Sequence, residues 1–349
     1  MKRAILFVVF FLLLAEPISM ANTRNSSIGI FLDSARTSPE GFANTVGGDV
    51  NTQSTTLALT LSRLVDHEVN STLDILLYYQ RSQNSDGGFG LNPTSNSTWD
   101  DTISAVQGLL ELNLNGTQLS QWEISNYLNV TANQLLYTHS IVNNQTVITN
   151  NDLTIDLIIK WKEYIFSSIL IGVIPPIPNV FLGSVLKSFQ LANGSYSTFN
   201  LAVHSIKLLD LIAQQPKDVD LSSKFIRAYA TTDGLFSSSL NGPPNLESTF
   251  QALDALDKLG RLQELDQKRE IILKILDQQK SESGFSDINS DVVTIEDTWF
   301  AINILTILES LDELLRPDVL QTQGFVSVDF VSLIGSILLI SLLLRRKVQ

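Results

Sequence analysis

The sequence predicts an all-helical repeat domain over residues 22–324. Apolar residues recur every three or four positions in long segments, as amphipathic helices require, and strand-type alternation is nearly absent. Turns that combine a glycine with an aromatic residue recur at intervals of 40 to 50 residues, with one gap of 106 that fits two periods. Such a period indicates stacked supersecondary units, because a single pair of helices cannot bury its apolar face alone.

Each repeat is expected to contain an apolar helix, a polar turn, a loop and a second amphipathic helix. The turn glycines are Gly41, Gly88, Gly194, Gly234 and Gly284. The second helices are predicted over 53–65, 100–112, 198–212, 246–259 and 295–311. A degenerate sixth repeat is expected between about 120 and 175, with helices near 133–137 and 153–170 that end before a group of prolines.

The N-terminal residues 1–21 have the layout of a secretory signal peptide. Two cations, Lys2 and Arg3, precede an apolar run, and the small residues Ser19 and Ala21 fit a cleavage site. An uncleaved N-terminal anchor is the alternative, but the apolar run is short for one. We therefore expect the chain to be exported and the signal removed.

The C-terminal segment 325–344 is predicted to be a transmembrane helix. Its only charge is Asp329, near its start, and its 20 residues match the thickness of the hydrocarbon layer. The basic tail 345–349 favours the cytoplasmic side, so residues 22–324 are expected outside, at the cell surface or plasma membrane. The alternative, a buried core helix, explains the terminal cations poorly.

The composition narrows the classes of function. The chain has a formal net charge of −13 and no cysteine. The acidic balance argues against binding nucleic acid through a basic patch, and the absence of cysteine excludes disulfides, thiolate metal sites and cysteine nucleophiles. Seven sequons are candidates for glycosylation, at Asn25, Asn70, Asn96, Asn115, Asn129, Asn144 and Asn193.

The repeat motif resembles a known family. The stretch from Gln80 to Gly90, followed by Asp101-Thr102, is similar to the prenyltransferase and squalene-cyclase repeat, and the pattern returns around Gly284 and Asp297. The resemblance covers most of 28–312 and implies an α/α toroid, in which six inner helices are surrounded by six outer ones. It also implies that glycine permits the turn, that the aromatic residue packs at the end of the barrel, and that Asp101, Asp297 or a neighbouring threonine caps an inner helix.

The residues that carry activity in this family are poorly matched. Protein prenyltransferase β subunits hold zinc through Asp-x-Cys and a later histidine, and the matching positions here are Glu247, Thr249 and Asp297. The cations expected to bind diphosphate are replaced by Asn241, Pro243 and Pro244. We therefore predict no zinc and no other cofactor, and name those three positions only as catalytic candidates by position.

Other candidate sites are weaker. The Asp-x-Asp-Asp run of class II terpene cyclases is missing, and the nearest sequence is Trp99-Asp100-Asp101. The three histidines, His67, His139 and His204, lie in different repeats, without the spacing of metal ligands. A calcium site at Asp291, Glu296 and Asp297 is an alternative to a solvated acidic loop. Trp99 and Trp299, near the starts of inner helices, are candidates to line the mouth of a cavity.

Two classes of function stay open. The first is a membrane-anchored surface module without catalysis, which binds a surface protein, a glycan or a lipid and does not bind nucleic acid. The second is an enzyme similar to prenyltransferases or terpene cyclases that acts on an isoprenoid, lipid or polysaccharide. The mismatched catalytic positions favour the first, while the fold itself supports both.

Overall fold

The computed structural model describes residues 23–37, 40–138, 151–170 and 179–315. Residues 28–311 form one compact unit, and residues 1–27 with 312–349 form a second, of which 23–27 and 312–315 are described. The described residues contain thirteen α-helices: α1 Arg24–Ala35, α2 Thr52–Leu64, α3 Thr72–Ser82, α4 Trp99–Glu111, α5 Gly116–Ser120, α6 Ile124–Thr138, α7 Asn151–Leu170, α8 Asn179–Ser188, α9 Phe199–Leu211, α10 Val219–Arg227, α11 Leu246–Lys258, α12 Lys268–Leu276 and α13 Ile295–Ile307. Two short strands, β1 Arg36–Thr37 and β2 Gly41–Phe42, pair antiparallel, and two 3₁₀ helices cover Leu262–Glu264 and Leu311–Leu315.

Six helices form a closed inner ring within the unit 28–311. In order around the ring they are α2, α4, α7, α9, α11 and α13, and α13 packs back against α2. The remaining long helices, α1, α3, α6, α8, α10 and α12, alternate with them along the chain and form the outer layer. This arrangement confirms the predicted α/α toroid of six helical hairpins, including the degenerate repeat, which supplies α6 and α7.

The predicted second helices of the repeats match the inner helices closely. Four of the five agree with the structure to within one residue at each end. The fifth was predicted over 295–311, but α13 ends at Ile307, and a separate 3₁₀ helix begins at Leu311. The apolar spacing continues past the end of the helix, which explains the excess length of the prediction.

Neighbouring repeats are joined by hydrogen bonds at the first residue of an inner helix. Thr52 N–H donates to the carbonyl of Leu91, in the loop of the following repeat, at 2.9 Å. Ile295 N–H donates to the carbonyl of Asn44 at 2.8 Å, which links the last inner helix to the first repeat. Because helix N-termini leave free N–H groups, each such contact satisfies a donor, and the bond from Ile295 to Asn44 also closes the ring.

The turn before four of the inner helices is held by a buried threonine. The N–H of the turn aromatic donates to the hydroxyl of a threonine thirteen residues later, at 2.9–3.0 Å in four repeats. The pairs are Phe42 with Thr55, Phe89 with Thr102, Phe236 with Thr249, and Phe285 with Thr298. The four aromatic rings are at most 2% exposed, so the turn is anchored in the core.

The turn glycines occupy two positions with different physical roles. Gly194 and Gly234, two residues before the aromatic, have positive φ of 80° and 82°, and Gly87 at the same place has 85°. Gly41, Gly88 and Gly284 stand one residue before the aromatic and do not have positive φ. A Cβ at Gly88 would lie 2.7 Å from Ser97 Cβ and from the Tyr127 ring, so close packing is what requires glycine there. Positive φ therefore explains the glycine at Gly194 and Gly234, whereas the turns at Gly41, Gly88 and Gly284 do not need it.

The five inner helices whose N-caps the structure describes are capped by asparagine or threonine, and the predicted caps at Asp101 and Asp297 are wrong. Thr98 is the N-cap of α4, since its hydroxyl oxygen accepts the N–H of Asp101. Asp101 follows the cap by three residues, and its carboxylate accepts a hydrogen bond from the Thr98 hydroxyl at 2.6 Å. Thr294 and Asp297 repeat this geometry in α13. A carboxylate in the first helical turn supports the cap, because it orients the hydroxyl and faces the positive end of the helix dipole.

No helix among the residues described is both long and apolar enough to cross a membrane. The predicted signal peptide 1–21, transmembrane segment 325–344 and basic tail 345–349 all lie outside the described residues.

Candidate binding site on the inner side of the ring

Thr249, one of the positions carried over from zinc enzymes, is committed to the fold. Its side chain is fully buried, and its hydroxyl accepts the Phe236 N–H at 3.0 Å while donating to the carbonyl of Asn245 at 2.8 Å. The same bonds are made by Thr102 and Thr298 in other repeats. Its hydroxyl is thus already used on both sides and has no free role at a catalytic centre.

Glu247 and Asp297 lie in the first turns of neighbouring inner helices, α11 and α13. Glu247 is exposed, and Asp297 is half-buried against its cap. Burial, followed by the adjacent carboxylates Asp297 and Glu247, raises the pKa of Glu296. The two candidates therefore belong to an acidic rim at the N-terminal ends of α11 and α13.

The proposed calcium ligands and the histidines are not brought together. Asp291 extends into solvent and pairs with Lys280 at 2.9 Å. His67 lies 3.1 Å from Asp33 on α1, His204 lies on α9, and His139 is outside the described residues. Within the described ranges, no three acidic or histidine side chains come close enough to hold a metal ion. The absence of zinc stays a prediction.

An aromatic cluster stands on two inner helices. Phe250 of α11 lies 5.1 Å from Trp299 and 5.7 Å from Phe300 of α13, measured between ring centroids. All three side chains are half-buried. An inner helix is covered by outer helices on one side and by inner neighbours on its flanks, so a partly exposed side chain in its middle faces the axis of the ring. The cluster therefore presents an apolar surface inside the ring.

Charged side chains lie beside this cluster. Lys207 of α9 pairs with Asp254 of α11 at 2.5 Å, donates to the side-chain oxygen of Gln251 at 2.9 Å, and has its ammonium 4.8 Å from the centre of the Phe250 ring. The single cation Lys207 thus connects α9 with α11. Because Lys207 and Asp254 are only 12% and 16% exposed, their pairing offsets the cost of burying each charge.

The next inner helix, α7, adds two half-buried charged side chains. Glu163 accepts the indole N–H of Trp99 at 2.8 Å, and burial raises the pKa of its carboxyl. Burial, together with the positive charge of Lys207, lowers the pKa of Lys162. Phe166, one turn further along, keeps 39% of its surface exposed. Charged side chains thus occur on three consecutive inner helices: Asp254 on α11, Lys207 on α9, and Lys162 with Glu163 on α7.

His204 completes this group of residues. Burial, with help from Lys162 and Lys207, lowers the pKa of its imidazole to about 3, so the ring is neutral at physiological pH. Its Nδ1 is buried and has no hydrogen-bond partner among the residues that the structure describes. A buried polar atom without a partner is unusual in a folded protein.

The family model for the prenyltransferase alpha-alpha toroid domain matches residues 3–138, 185–268 and 249–328, which is most of the chain. The chain belongs to this family. Among solved structures, it is similar to a type II terpene cyclase from Scytonema in complex with its product, merosterolic acid A. The TM-score is 0.50 at 12% identity, over 84% of this chain and 96% of that one, which shows the shared fold alone. No curated protein matches the chain.

Family motifs did not point to the residues that meet inside the ring, and sequence analysis missed Lys162, Glu163, Lys207 and Asp254. A signal for them exists. The 13-residue helix α9 contains one lysine among mostly apolar residues, and α7 places three charges in the middle of a long, mostly apolar helix. An ionisable residue inside an otherwise apolar inner helix is costly unless it has a partner, so such residues indicate an interior polar site. Trp99 is buried and donates its indole N–H to Glu163, and Trp299 contacts Phe250; that either lines the mouth of a cavity stays a prediction.

The sequons are consistent with modification of the outer surface. Five of their asparagines, Asn70, Asn96, Asn115, Asn129 and Asn193, are exposed. Asn25 is half-buried, and Asn144 lies outside the described residues. Exposure satisfies one requirement for glycosylation, which itself stays a prediction.

Proposed function

We propose that this protein is a surface-displayed binding module that holds an apolar molecule, of the size of an isoprenoid or a lipid chain, inside its ring. The aromatic cluster of Phe250, Trp299 and Phe300 carries this proposal. Apolar surface that faces water costs about 25 cal/mol per Å², so three partly exposed rings on one inner wall favour an apolar occupant. The location rests on the sequence of the two chain ends, and on nothing in the described residues.

The catalytic candidates support binding over chemistry. Thr249 and Asp297 are engaged in the turn and the cap of the inner helices, and Glu247 is exposed on the rim. The segment before Glu247 has Asn241, Pro243 and Pro244 where a diphosphate would need cations. A zinc-dependent transferase at this site would have to work without the usual zinc ligands and without the cations that bind diphosphate.

The test uses the full chain in nanodiscs and farnesol as an uncharged apolar probe. Binding should quench tryptophan emission and saturate, since Trp299 is part of the aromatic cluster. Phe250→Ser should weaken farnesol binding about tenfold or more, because one aromatic side chain loses roughly 1.5–3 kcal/mol of burial.

Phe225→Ser is the matched control, because Phe225 is also half-buried but lies on the outer helix α10. That variant should keep the affinity of the wild type. Equal loss in both variants, or no saturable quenching in the wild type, would rule out a site inside the ring.

A catalytic role is the second candidate, and Glu163 favours it. Burial raises the pKa of the Glu163 carboxyl, which favours its protonated form relative to a free carboxyl and suits it to donate a proton to a substrate in the ring. Products should then form from a polyprene such as squalene and should disappear with Glu163→Gln. Recovery of unchanged polyprene, with no transfer of farnesyl from its diphosphate to a cysteine peptide, supports the binding module.

A further inference from the structure

One ammonium group on the inner side of the ring contacts three side chains of the neighbouring helix. The Nζ atom of Lys207, on α9, lies 2.5 Å from Oδ2 of Asp254 and 2.9 Å from Oε1 of Gln251, both on α11. The same atom lies 4.8 Å from the centre of the Phe250 ring. Since all three contacts share one atom, the carboxylate, the amide and the aromatic ring lie side by side.

Gln251 and Asp254 belong to the side of α11 that faces the axis of the ring. Residues three positions apart lie on the same face of a helix. Both side chains are partly exposed, whereas three neighbours in the sequence are fully buried, namely Ala252, Leu253 and Ala255. Asp254 keeps 16% of its side-chain surface exposed. A ligand inside the ring is therefore able to reach both polar groups while it contacts the aromatic cluster.

Lys207 uses only one polar atom of each of these two groups. An ammonium group has donors and no acceptor, so the Gln251 amide must present its oxygen to Lys207, which leaves its Nε2 as a donor. Asp254 presents Oδ2 to Lys207, and its Oδ1 lies 3.9 Å from Lys258, beyond hydrogen-bond distance. Among the residues described, neither this nitrogen nor this oxygen has a hydrogen-bond partner. One donor and one acceptor are thus left beside the Phe250 ring.

We propose that the ligand is a long-chain apolar alcohol whose hydroxyl group binds Gln251 and Asp254 while its chain lies along the aromatic cluster. This assignment rests on the proposed function and names the polar group of its ligand. The hydroxyl oxygen accepts the N–H of Gln251 Nε2, and its proton is donated to Asp254 Oδ1. A hydroxyl fits this pair of atoms because its single oxygen both donates and accepts.

Charged head groups fit the same place less well. A carboxylate on the ligand would meet the carboxylate of Asp254, and like charges at hydrogen-bond distance repel. An ammonium on the ligand would approach Lys207, which already balances the charge of Asp254. Lys207 and Asp254 thus form a neutral pair, and a neutral polar group adds hydrogen bonds to this pair without adding an unbalanced charge.

The experiment compares farnesol with its methyl ether and with farnesoic acid on the full chain in nanodiscs. Each tritiated ligand is measured on protein captured by a tag, and uptake by discs that hold an unrelated single-pass protein is subtracted. Farnesol should bind about tenfold tighter than the ether, which accepts a hydrogen bond but has no proton to donate to a carboxylate. Farnesol should also bind tighter than the acid.

Asp254→Asn should abolish the preference for farnesol over the ether. The amide oxygen of the new asparagine is needed by Lys207, so an N–H group takes the place of Oδ1 and no acceptor is left for the hydroxyl proton. Asp257→Asn is the matched control, because Asp257 lies on the same helix but is exposed and lies 4.0 Å from Lys258. That variant should keep the preference of the wild type.

The comparison on the wild type needs no variant to fold. Equal binding of farnesol and its ether, or tighter binding of the acid, would overturn this inference and leave the proposed function standing. A preference that survives in Asp254→Asn would also overturn it, because the bulk of the methyl group would then explain the weaker binding of the ether. Failure of all three ligands to bind would overturn the proposed function as well.

Discussion

The hydroxyl of Thr249 offers a direct measure of how strongly the turn depends on its threonine. Valine has the same shape as threonine, so Thr249→Val leaves no cavity in the core. The buried N–H of Phe236, however, loses its acceptor. The carbonyl of Asn245 keeps its bond from the Thr249 N–H at 3.1 Å. Leaving one buried donor unsatisfied costs about 1–3 kcal/mol, and for a domain of this size this lowers Tm by roughly 2–6 °C.

Urea unfolding of the tagged chain, followed by circular dichroism, measures this loss, and Thr249→Ser is the control that keeps the hydroxyl. Serine loses one buried methyl, which costs about 1 kcal/mol, and should retain the bond to Phe236. Valine should therefore be less stable than serine, and farnesol binding should be unchanged in both because the hydroxyl is not free. A valine variant as stable as the wild type, or one that loses ligand binding while it stays folded, would refute this account of Thr249.

Three further outcomes are expected. Gly87→Ala should destabilise the fold by about 1–3 kcal/mol, clearly more than Gly47→Ala does. Both glycines have positive φ, but only at Gly87 would the new methyl group lie 2.6 Å from a backbone carbonyl oxygen. Urea unfolding of both variants measures the difference in the free energy of unfolding. The pKa of Glu163 is raised in the folded protein, so its contribution to stability falls as the pH rises from the pKa of the unfolded chain through that of the folded one. Glu163→Gln should flatten this decline and should be more stable than the wild type at pH 7. An unchanged pH profile of the free energy of unfolding would contradict this expectation. Removal of residues 325–349 should release a signal-cleaved protein into the medium, detected by immunoblot, whereas retention on membranes would count against the predicted anchor.

Much of the architecture was predictable because it follows from patterns among residues that are close together in the sequence. The period of the glycine–aromatic turns and the helical spacing of apolar residues predicted the repeats, including the degenerate one, and placed the inner helices to within one residue in four of five cases. These features depend on contacts inside one helical hairpin, which nearby residues determine. The predicted membrane topology also rests on local sequence alone.

Within each turn, the division of roles needed three-dimensional geometry. Sequence analysis grouped Gly88 with Gly234, whereas backbone angles separate a left-handed position from a crowded one. It likewise assigned the cap to Asp101, while the hydrogen bonds assign it to Thr98. Neighbouring residues with similar propensities exchange roles easily, and only the backbone conformation decides between them.

By itself, the sequence determined a six-hairpin helical repeat protein of the toroid family with poorly matched catalytic positions. The tertiary structure alone decided what lies inside the ring. Lys162, Lys207 and Phe250 are 43 to 88 residues apart along the chain and have no common motif, yet the inner ring places their three helices next to one another in order. Which face of each inner helix points to the axis depends on how the outer helices pack, so the interior site emerges only from long-range contacts.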